Sequence, residues 1–514
     1  MTDSPLTPQE SKAEVSDDWR KREIHLAFVN AVKLGSSLLL TWSIALVTRL
    51  YIPRFLGPER FGALNFADAF TATAFVALGL GIDIYVRKEI AVRPEHASDF
   101  VGGIVALRIA MLVLVYAGME IVLRVTHCSA EIRYLVYLYG LAQFFMVGGL
   151  TSAGLLQATG KVNEMSVLSV IVKFVWAICI FAAIFFRLGL WAFAVTVTLT
   201  ESAKSLILFR LAQRHLKFEF RMNPKATWAV IIAALPFFIS NLATTIYDKM
   251  GVNLLEFMTT RREVGWFGAA SGFAGMTLLF APLLSWVLVP LFARSAAEST
   301  DELFQMVRRS LELILALAIP VCLLMLVGAD FWVLVLFGKA FAPAATALRI
   351  LALATLLMYL SIVAVYALAV LNYTWRMSFT FLGGMVINPL CNLLLIPRMS
   401  PLIGPGGGGA ACATATLVTE VAMVTSLLAA LGRRSYDRRL IVSMIKSVAA
   451  AILVIATDHF VLRPLGPARL AVNVAVYATL VVVSGAFDVR ELVNFVRAAI
   501  QQRKARRNEH SIRT

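Results

Sequence analysis

Residues 36–86 read SSLLLTWSIALVTRLYIPRFLGPERFGALNFADAFTATAFVALGLGIDIYV, and their pattern decides the fold. Two apolar runs flank a short polar segment, Arg54-Phe55-Leu56-Gly57-Pro58-Glu59-Arg60. A bilayer core of about 30 Å is crossed by about 20 apolar residues in a helix, and each run satisfies that length. The stretch therefore reads as two membrane helices joined by a tight connection.

Outward from this hairpin the same template recurs, near 29–57, 61–86, 100–123, 133–156, 165–186, 188–209, 229–257, 264–293, 310–336, 345–371, 376–397, 407–431, 440–462 and 468–486. The expectation is an all-α integral membrane protein of about 14 transmembrane helices. Composition agrees. The 514 residues are 59% hydrophobic and 15% charged, with mean hydropathy +0.79, whereas soluble domains carry about 25% charged residues. Cys128, Cys179, Cys322, Cys391 and Cys412 stand singly, without a CxxC pair, which gives neither a disulfide framework nor a zinc site. No metal is expected.

The net charge of +16 could point to nucleic acid, but the basic residues cluster in short loops between apolar runs, as in membrane proteins. Alternate loops differ. One set holds Arg20, Lys21 and Arg22; Arg87, Lys88 and Arg93; Arg210, Arg214, Lys217, Arg221 and Lys225; Arg294, Arg308 and Arg309; Arg433, Arg434, Arg438 and Arg439; and Arg503, Lys504, Arg506 and Arg507. The opposite set is poorer. The richer side is expected to be cytoplasmic, with both termini on it. The polar first two dozen residues read as a soluble tail and not as a signal peptide. Every connection is short, which leaves no room for an extracytoplasmic catalytic domain and argues against a glycan polymerase, ligase or glycosyltransferase. The chain is expected not to be an enzyme.

The sequence also repeats itself weakly. FGALNFADAF from Phe61 aligns with VGWFGAASGF from Val264, matching Gly62 with Gly265, Ala67 with Ala270 and Phe70 with Phe273. LLQATGKVNEMS from Leu155 aligns with VLNYTWRMSFTF from Val370, and Glu201 then falls near Glu420. Internal repeats around a central cavity are a recurring plan of secondary transporters. The expected organisation is a tail over 1–27, a first six-helix lobe over 28–210, a linker over 211–227, a second lobe over 228–432, two further helices over 433–486, and a basic tail over 487–514.

Ionisable groups inside such helices are costly unless they meet a polar cavity or a partner, so each is a candidate. In helix two, Asn65, Asp68 and Asp83 fall within about 60° of one another at about 100° per residue. Helix one carries Arg49 and Arg54, and helix five Lys173. Thr198, Glu201 and Lys204 share a broad face of helix six, and Asn241, Thr244 and Asp248, with Lys249 beside them, do so in helix seven. Arg49, Arg54, Lys173, Lys204 and Lys249 are the candidate cations for a phosphate group, which arginine holds bidentately. Asp68, Asp83, Glu201, Asp248, Asn388 and Glu420 are the candidate cavity or ion-coupling groups. Against this stands a plainer reading: Glu201 with Lys204, and Asp248 with Lys249, neutralise each other, while Asn388 and Asn392, one turn apart, pack helices. Pro236, Pro282, Pro290, Pro320 and Pro389 interrupt second-half helices, as rocking elements or as ordinary bends. No GxxxxGK[ST] loop exists, so neither ATP nor another cofactor is expected.

Four segments carry a family resemblance: TRLYIPRFLGPERFGALNFADAF (48–70), DKMGVNLLEFMTTRREVGWFGAASGF (248–273), LVLFGKAFAPA (334–344) and NPLCNLLLIPRMSPLIGPGGGGAACATATLVTE (388–420). In these the chain resembles the polysaccharide exporters and Wzx-type oligosaccharide flippases of the multidrug/oligosaccharidyl-lipid/polysaccharide superfamily. It departs at LIGPGGGG (402–409), which is longer and richer in glycine than the family's pattern. The resemblance implies two six-helix lobes around a central cavity. It also implies an undecaprenyl-pyrophosphate-linked oligosaccharide as substrate, whether O-antigen, capsule or exopolysaccharide unit, moved across the bacterial cytoplasmic (inner) membrane. Coupling to H+ or Na+ and partnership with a glycan polymerase and chain-length regulator go with it. The alternatives are a multidrug exporter of the same fold, which would favour an acidic cavity, and the peptidoglycan-precursor flippase, whose first loop differs from Leu56-Gly57-Pro58-Glu59.

Overall fold

The computed structural model describes residues 8–93, 97–219, 221, 223–278 and 281–485, and among these no strand occurs. The expected basic tail over 487–514 lies outside the described residues. Helix α1 runs Pro8–Gly79 and contains the deciding stretch whole. It is two helices joined at Gly57, whose φ of 72° and ψ of 170° are not helical. Leu39–Gly79 alone holds 41 apolar-rich residues, about 60 Å at 1.5 Å per residue and so two crossings. The polar residues from Pro8 onward continue into the first crossing as helix, where a soluble tail was expected to 27.

The second crossing does not run unbroken to residue 86. Leu80 and Gly81 adopt left-handed φ of 51° and 65°, and α2 (Ile82–Val92) follows. The break has identifiable causes. A β-carbon on Gly81 would lie 2.6 Å from the Ala234 carbonyl oxygen, so only glycine lets the backbones meet there. The carbonyls that the break frees, Leu78 O and Gly79 O, accept from the buried Arg108 side chain at 2.9 and 3.4 Å.

The remaining helices are α3 (Ala97–Val125), α4 (Ala130–Ala158), α5 (Val162–Phe185), α6 (Leu190–Leu216), α7 (Pro224–Met258), α8 (Arg261–Thr277), α9 (Ala281–Glu298), α10 (Thr300–Val327), α11 (Ala329–Phe337), α12 (Ala344–Val370), α13 (Thr374–Ile403), α14 (Gly407–Leu431), α15 (Arg438–Thr457) and α16 (Arg469–Val483). Eleven stretches among the described residues are long and apolar enough to cross a membrane. Leu39–Gly79 counts twice, and so does the 46-residue Arg438–Val483, which bends through a π turn and a 3-10 turn over 458–468. With α8 and α9 as one interrupted crossing, 11 + 1 + 1 + 1 gives the fourteen that were expected. The tight pair α5 and α6 is two helices, separated by Arg187 at φ 51°. Pro236, Pro290, Pro320 and Pro389 all sit inside continuous helices. α8 ends at Thr277 and α9 begins at Ala281, one residue before Pro282, a position that tolerates proline's missing N–H.

The helices pack as two compact units, one ending at Gly265 and the other beginning at Trp266. In the first, α4 packs on α6, α1 on α4 and α5, and α7 on α1, α2 and α3. One apolar cluster in it joins Ile82, Ile104, Leu156, Leu208 and Ala234. In the second, α14 lies against α12 and α13, and α10 against α12 and α15, around Phe292, Ile314, Val363, Leu427 and Tyr477.

The glycine-rich departure has a packing role inside the second unit. Gly406 has φ 87°, and a β-carbon there would stand 2.5 Å from Pro343 O; one on Gly407 would stand 2.7 Å from Met399 O. Trp266 Nε1 donates to Ala340 O at 2.8 Å. The 334–344 segment, the glycine run and Trp266 of α8 therefore form one joint.

Candidate functional site

Within the first unit, helix geometry puts the charged residues in one layer. The helix ends on the side poorer in Lys and Arg are the Gly57 turn, Ala130 of α4, Phe185 of α5, Leu190 of α6 and Met258 of α7. Counted from these ends, Arg49, Asp68, Tyr139, Lys173, Glu201, Lys204, Asp248 and Lys249 stand eight to fourteen residues in, about 12 to 21 Å at 1.5 Å per residue. That is the middle of a hydrocarbon core about 30 Å thick.

These groups act on one another. Lys249 interacts electrostatically with Asp248, Asp68 and Arg49. Lys173 interacts with Arg49, Glu201 and Lys204, and Tyr139 with Asp68 and Arg49. Arg49 is common to all three sets. Lys249 Nζ lies 3.0 Å from Asp248 Oδ2 and Lys204 Nζ 3.5 Å from Glu201 Oε2. Lys173 Nζ sits 3.9 Å from the centroid of the Trp176 ring, a cation held on an aromatic face. Four cations (Arg49, Lys173, Lys204, Lys249) face three carboxylates (Asp68, Glu201, Asp248), so the layer carries one surplus positive charge. A layer of that sign attracts a multiply charged anion such as a pyrophosphate, and its two ion pairs can exchange partners for phosphate oxygens.

Both neutralising pairs of the plainer reading thus exist, yet each stands inside a larger charged group. The two asparagines bond to each other along α13: Asn392 Nδ2 donates to Asn388 O and Oδ1, both at 2.9 Å and buried, so these bonds lie within one helix and not between two. Glu420, on α14 of the second unit, is 2% exposed and accepts from Ser361 Oγ at 3.3 Å. Arg54 is exposed, five residues beyond Arg49 toward Gly57.

Asp83 belongs elsewhere. The break at Leu80–Gly81 removes it from the face it was expected to share with Asn65 and Asp68. It accepts from Thr151 Oγ1 at 2.7 Å, and Arg108 Nη1 donates to the same hydroxyl at 2.9 Å. Arg108, 5% exposed in α3, and Tyr139 escaped the sequence reading. The first is a charge inside an apolar run, the very signal that singled out Lys173. The second carries no formal charge, and nothing in the sequence marks it.

Fourteen crossings among the described residues, with a charged mid-depth layer within the first unit, define a multi-pass membrane protein. The chain belongs to the polysaccharide biosynthesis protein family, whose model matches residues 29–296, or 268 of 514. No curated protein matches it by sequence. Among solved structures it is similar to the lipid II flippase MurJ in an inward closed conformation, with 13% identity, TM-score 0.68, and coverage of 91% of this chain and 100% of that one. It is similar also to an inward-facing multidrug resistance MATE family transporter of the MOP superfamily, with 14% identity, TM-score 0.63, and coverage of 79% and 98%. A third is a MOP superfamily transporter from Pyrococcus furiosus, with 13% identity, TM-score 0.55, and coverage of 79% and 96%. Identities this low speak for the fold alone.

Proposed function

We propose that the chain is a flippase that moves an undecaprenyl-pyrophosphate-linked oligosaccharide across the bacterial cytoplasmic membrane by alternating access. The observation that carries this reading is the surplus positive charge of the mid-depth layer around Arg49. Charges at that depth are costly unless they serve a polar path, and a lipid-linked pyrophosphate is an anion that must pass that depth. Membership of the polysaccharide biosynthesis family supports a glycan as the cargo. In this reading Arg49, Lys173, Lys204 and Lys249 take the pyrophosphate, with Arg54 at the approach. Asp68, Glu201 and Asp248 restrain the lysines until substrate arrives and are the groups to test for H+ or Na+ coupling, together with Glu420 of the second unit. Both termini are cytoplasmic, the two repeated halves act as lobes, and the exported unit passes to a polymerase and chain-length regulator.

Binding tests the assignment of charge to cargo. Protein in nanodiscs should retain undecaprenyl pyrophosphate at least tenfold more tightly than undecaprenol, the preference should shrink with added salt, and Arg49→Ala should abolish it. Equal retention of the two lipids by the wild type, or retention of organic cations instead, would replace this reading with that of a drug exporter.

A further inference from the structure

The weak repeat that pairs Gly62 with Gly265 also brings these residues into physical contact. A β-carbon on Gly62 would fall inside the Arg261 carbonyl oxygen and 3.0 Å from Gly265 N. One on Gly265 would fall inside the Pro58 carbonyl oxygen and 2.7 Å from Pro58 C. All these residues belong to the first compact unit.

The numbering of this contact is symmetric. The two glycines are 265 − 62 = 203 positions apart, and so are Arg261 and Pro58, since 261 − 58 = 203. The carbonyl that meets Gly62 is thus the repeat equivalent of the carbonyl that meets Gly265. Residue i touches j while the equivalent of j touches the equivalent of i, the signature of an isologous contact about a two-fold axis. The position next to Pro58 completes the pattern. Glu59 and its equivalent Arg262 (262 − 59 = 203) carry opposite charges and pair with each other, Arg262 Nε lying 3.4 Å from Glu59 Oε2. At the following position the signs reverse, with Arg60 equivalent to Glu263. A symmetric contact between identical segments would set like charges against each other. Divergence of the two copies, PERFG against RREVG, has made this one attractive.

We propose that residues 58–62 and 261–265 form a self-complementary seam that holds the bundle shut at the end opposite the Lys/Arg-rich loops, and that opening of that end is separation of this seam. Two backbones meet there because glycine on each side admits the other's carbonyl. The fastening ion pair is exposed on both sides, 64% and 60%, and such pairs are weak, so the seam closes by shape and registers by charge without being irreversible. Neighbouring contacts reinforce the second strand of the seam: Arg261 Nε lies 3.1 Å from the Glu256 carboxylate and Arg261 Nη2 3.3 Å from Ser129 Oγ. The proposal stands on this geometry and rests on the alternating-access reading above, whatever the cargo.

Electron–electron distances between spin labels at Arg60→Cys and Thr260→Cys, in full-length protein freed of its five native cysteines and held in nanodiscs, test it. The parent should show a short population. Glu59→Arg should raise the long-distance fraction by up to about fivefold, the most an exposed pair of this kind is worth. Adding Arg262→Glu to the same chain should restore the parent distribution, a rescue that a misfolded protein could not show. Gly62→Ala should remove the short population, while Gly272→Ala, where a β-carbon meets nothing within 4 Å, should leave it. An unchanged distribution in Gly62→Ala, or failure of the swapped pair to restore what Glu59→Arg opened, would overturn the proposal.

Discussion

Arg49 and Arg108 are both arginines in apolar helices, and the structure gives them opposite employments. Arg49 is exposed at mid-depth, and its charge acts on Lys173, Lys249 and Tyr139. Arg108 is enclosed and spends its donors on Leu78 O, Gly79 O and Thr151 Oγ1. Substituting Arg108 by methionine strands two helix-end carbonyls and removes the cation that faces Asp83 across Thr151, and should cost about 3 kcal/mol, as buried acceptors left without donors do. Thermal denaturation of the purified protein in detergent reads this as a lowered melting temperature, with Arg108→Lys recovering part of it; Arg49→Ala should leave the melting temperature within a degree or two. At this scale the sequence showed which residues are charged within the membrane but not what they face. The angle that grouped Asp83 with Asp68 assumed one unbroken helix. Leu80 has no sequence signal for a left-handed turn, and the carbonyl acceptors of Arg108 lie about thirty residues away, so periodicity could not find the break.

Helices and their joints were legible to different degrees. The crossings follow from apolar length alone, since lipid leaves the backbone only helical ways to satisfy itself, and each expected run contains a helix. Ends were less legible, because α10 continues as a separate α11 through Gly328 and the α8/α9 junction falls within one apolar run. The glycine run 406–409 read only as a departure from a pattern, for its reason is a partner over sixty residues away, Pro343. That joint makes a graded prediction. Gly404→Ala meets no neighbour but must hold φ 78° and ψ −138°, a region essentially confined to glycine and costing about 1 to 3 kcal/mol for other residues. Gly406→Ala adds a β-carbon 2.5 Å from Pro343 O and should destabilise further. Gly383→Ala, in the open face of α13, should be neutral or slightly stabilising. Melting temperatures should fall in the order Gly383→Ala, Gly404→Ala, Gly406→Ala; equal values for the last two would mean that the α14 joint yields freely.

For the whole molecule, two physical scales set the architecture: the thickness of the bilayer, which spaces the crossings, and the cost of charge at its centre, which leaves ionisable residues only where they are used. Chain length and hydropathy were enough to give fourteen crossings. Of the four segments that carried the resemblance, 48–70 and 248–273 lie within the range that the family model matches. The mid-depth layer was harder to read, since its members come from six helices, counting the two halves of α1 separately, and only folding brings them to one level. The central claim is that this layer carries a lipid-linked pyrophosphate across. Proteoliposomes loaded with a fluorescent undecaprenyl-pyrophosphate oligosaccharide, with exposure followed by an impermeant quencher, test it most directly. The wild type should expose the lipid faster than protein-free vesicles, Arg49→Ala and Lys173→Ala should each slow this at least tenfold, and Arg49→Lys should fall between. Exposure no faster than in protein-free vesicles, with gradient-driven efflux of organic cations in its place, would contradict the account.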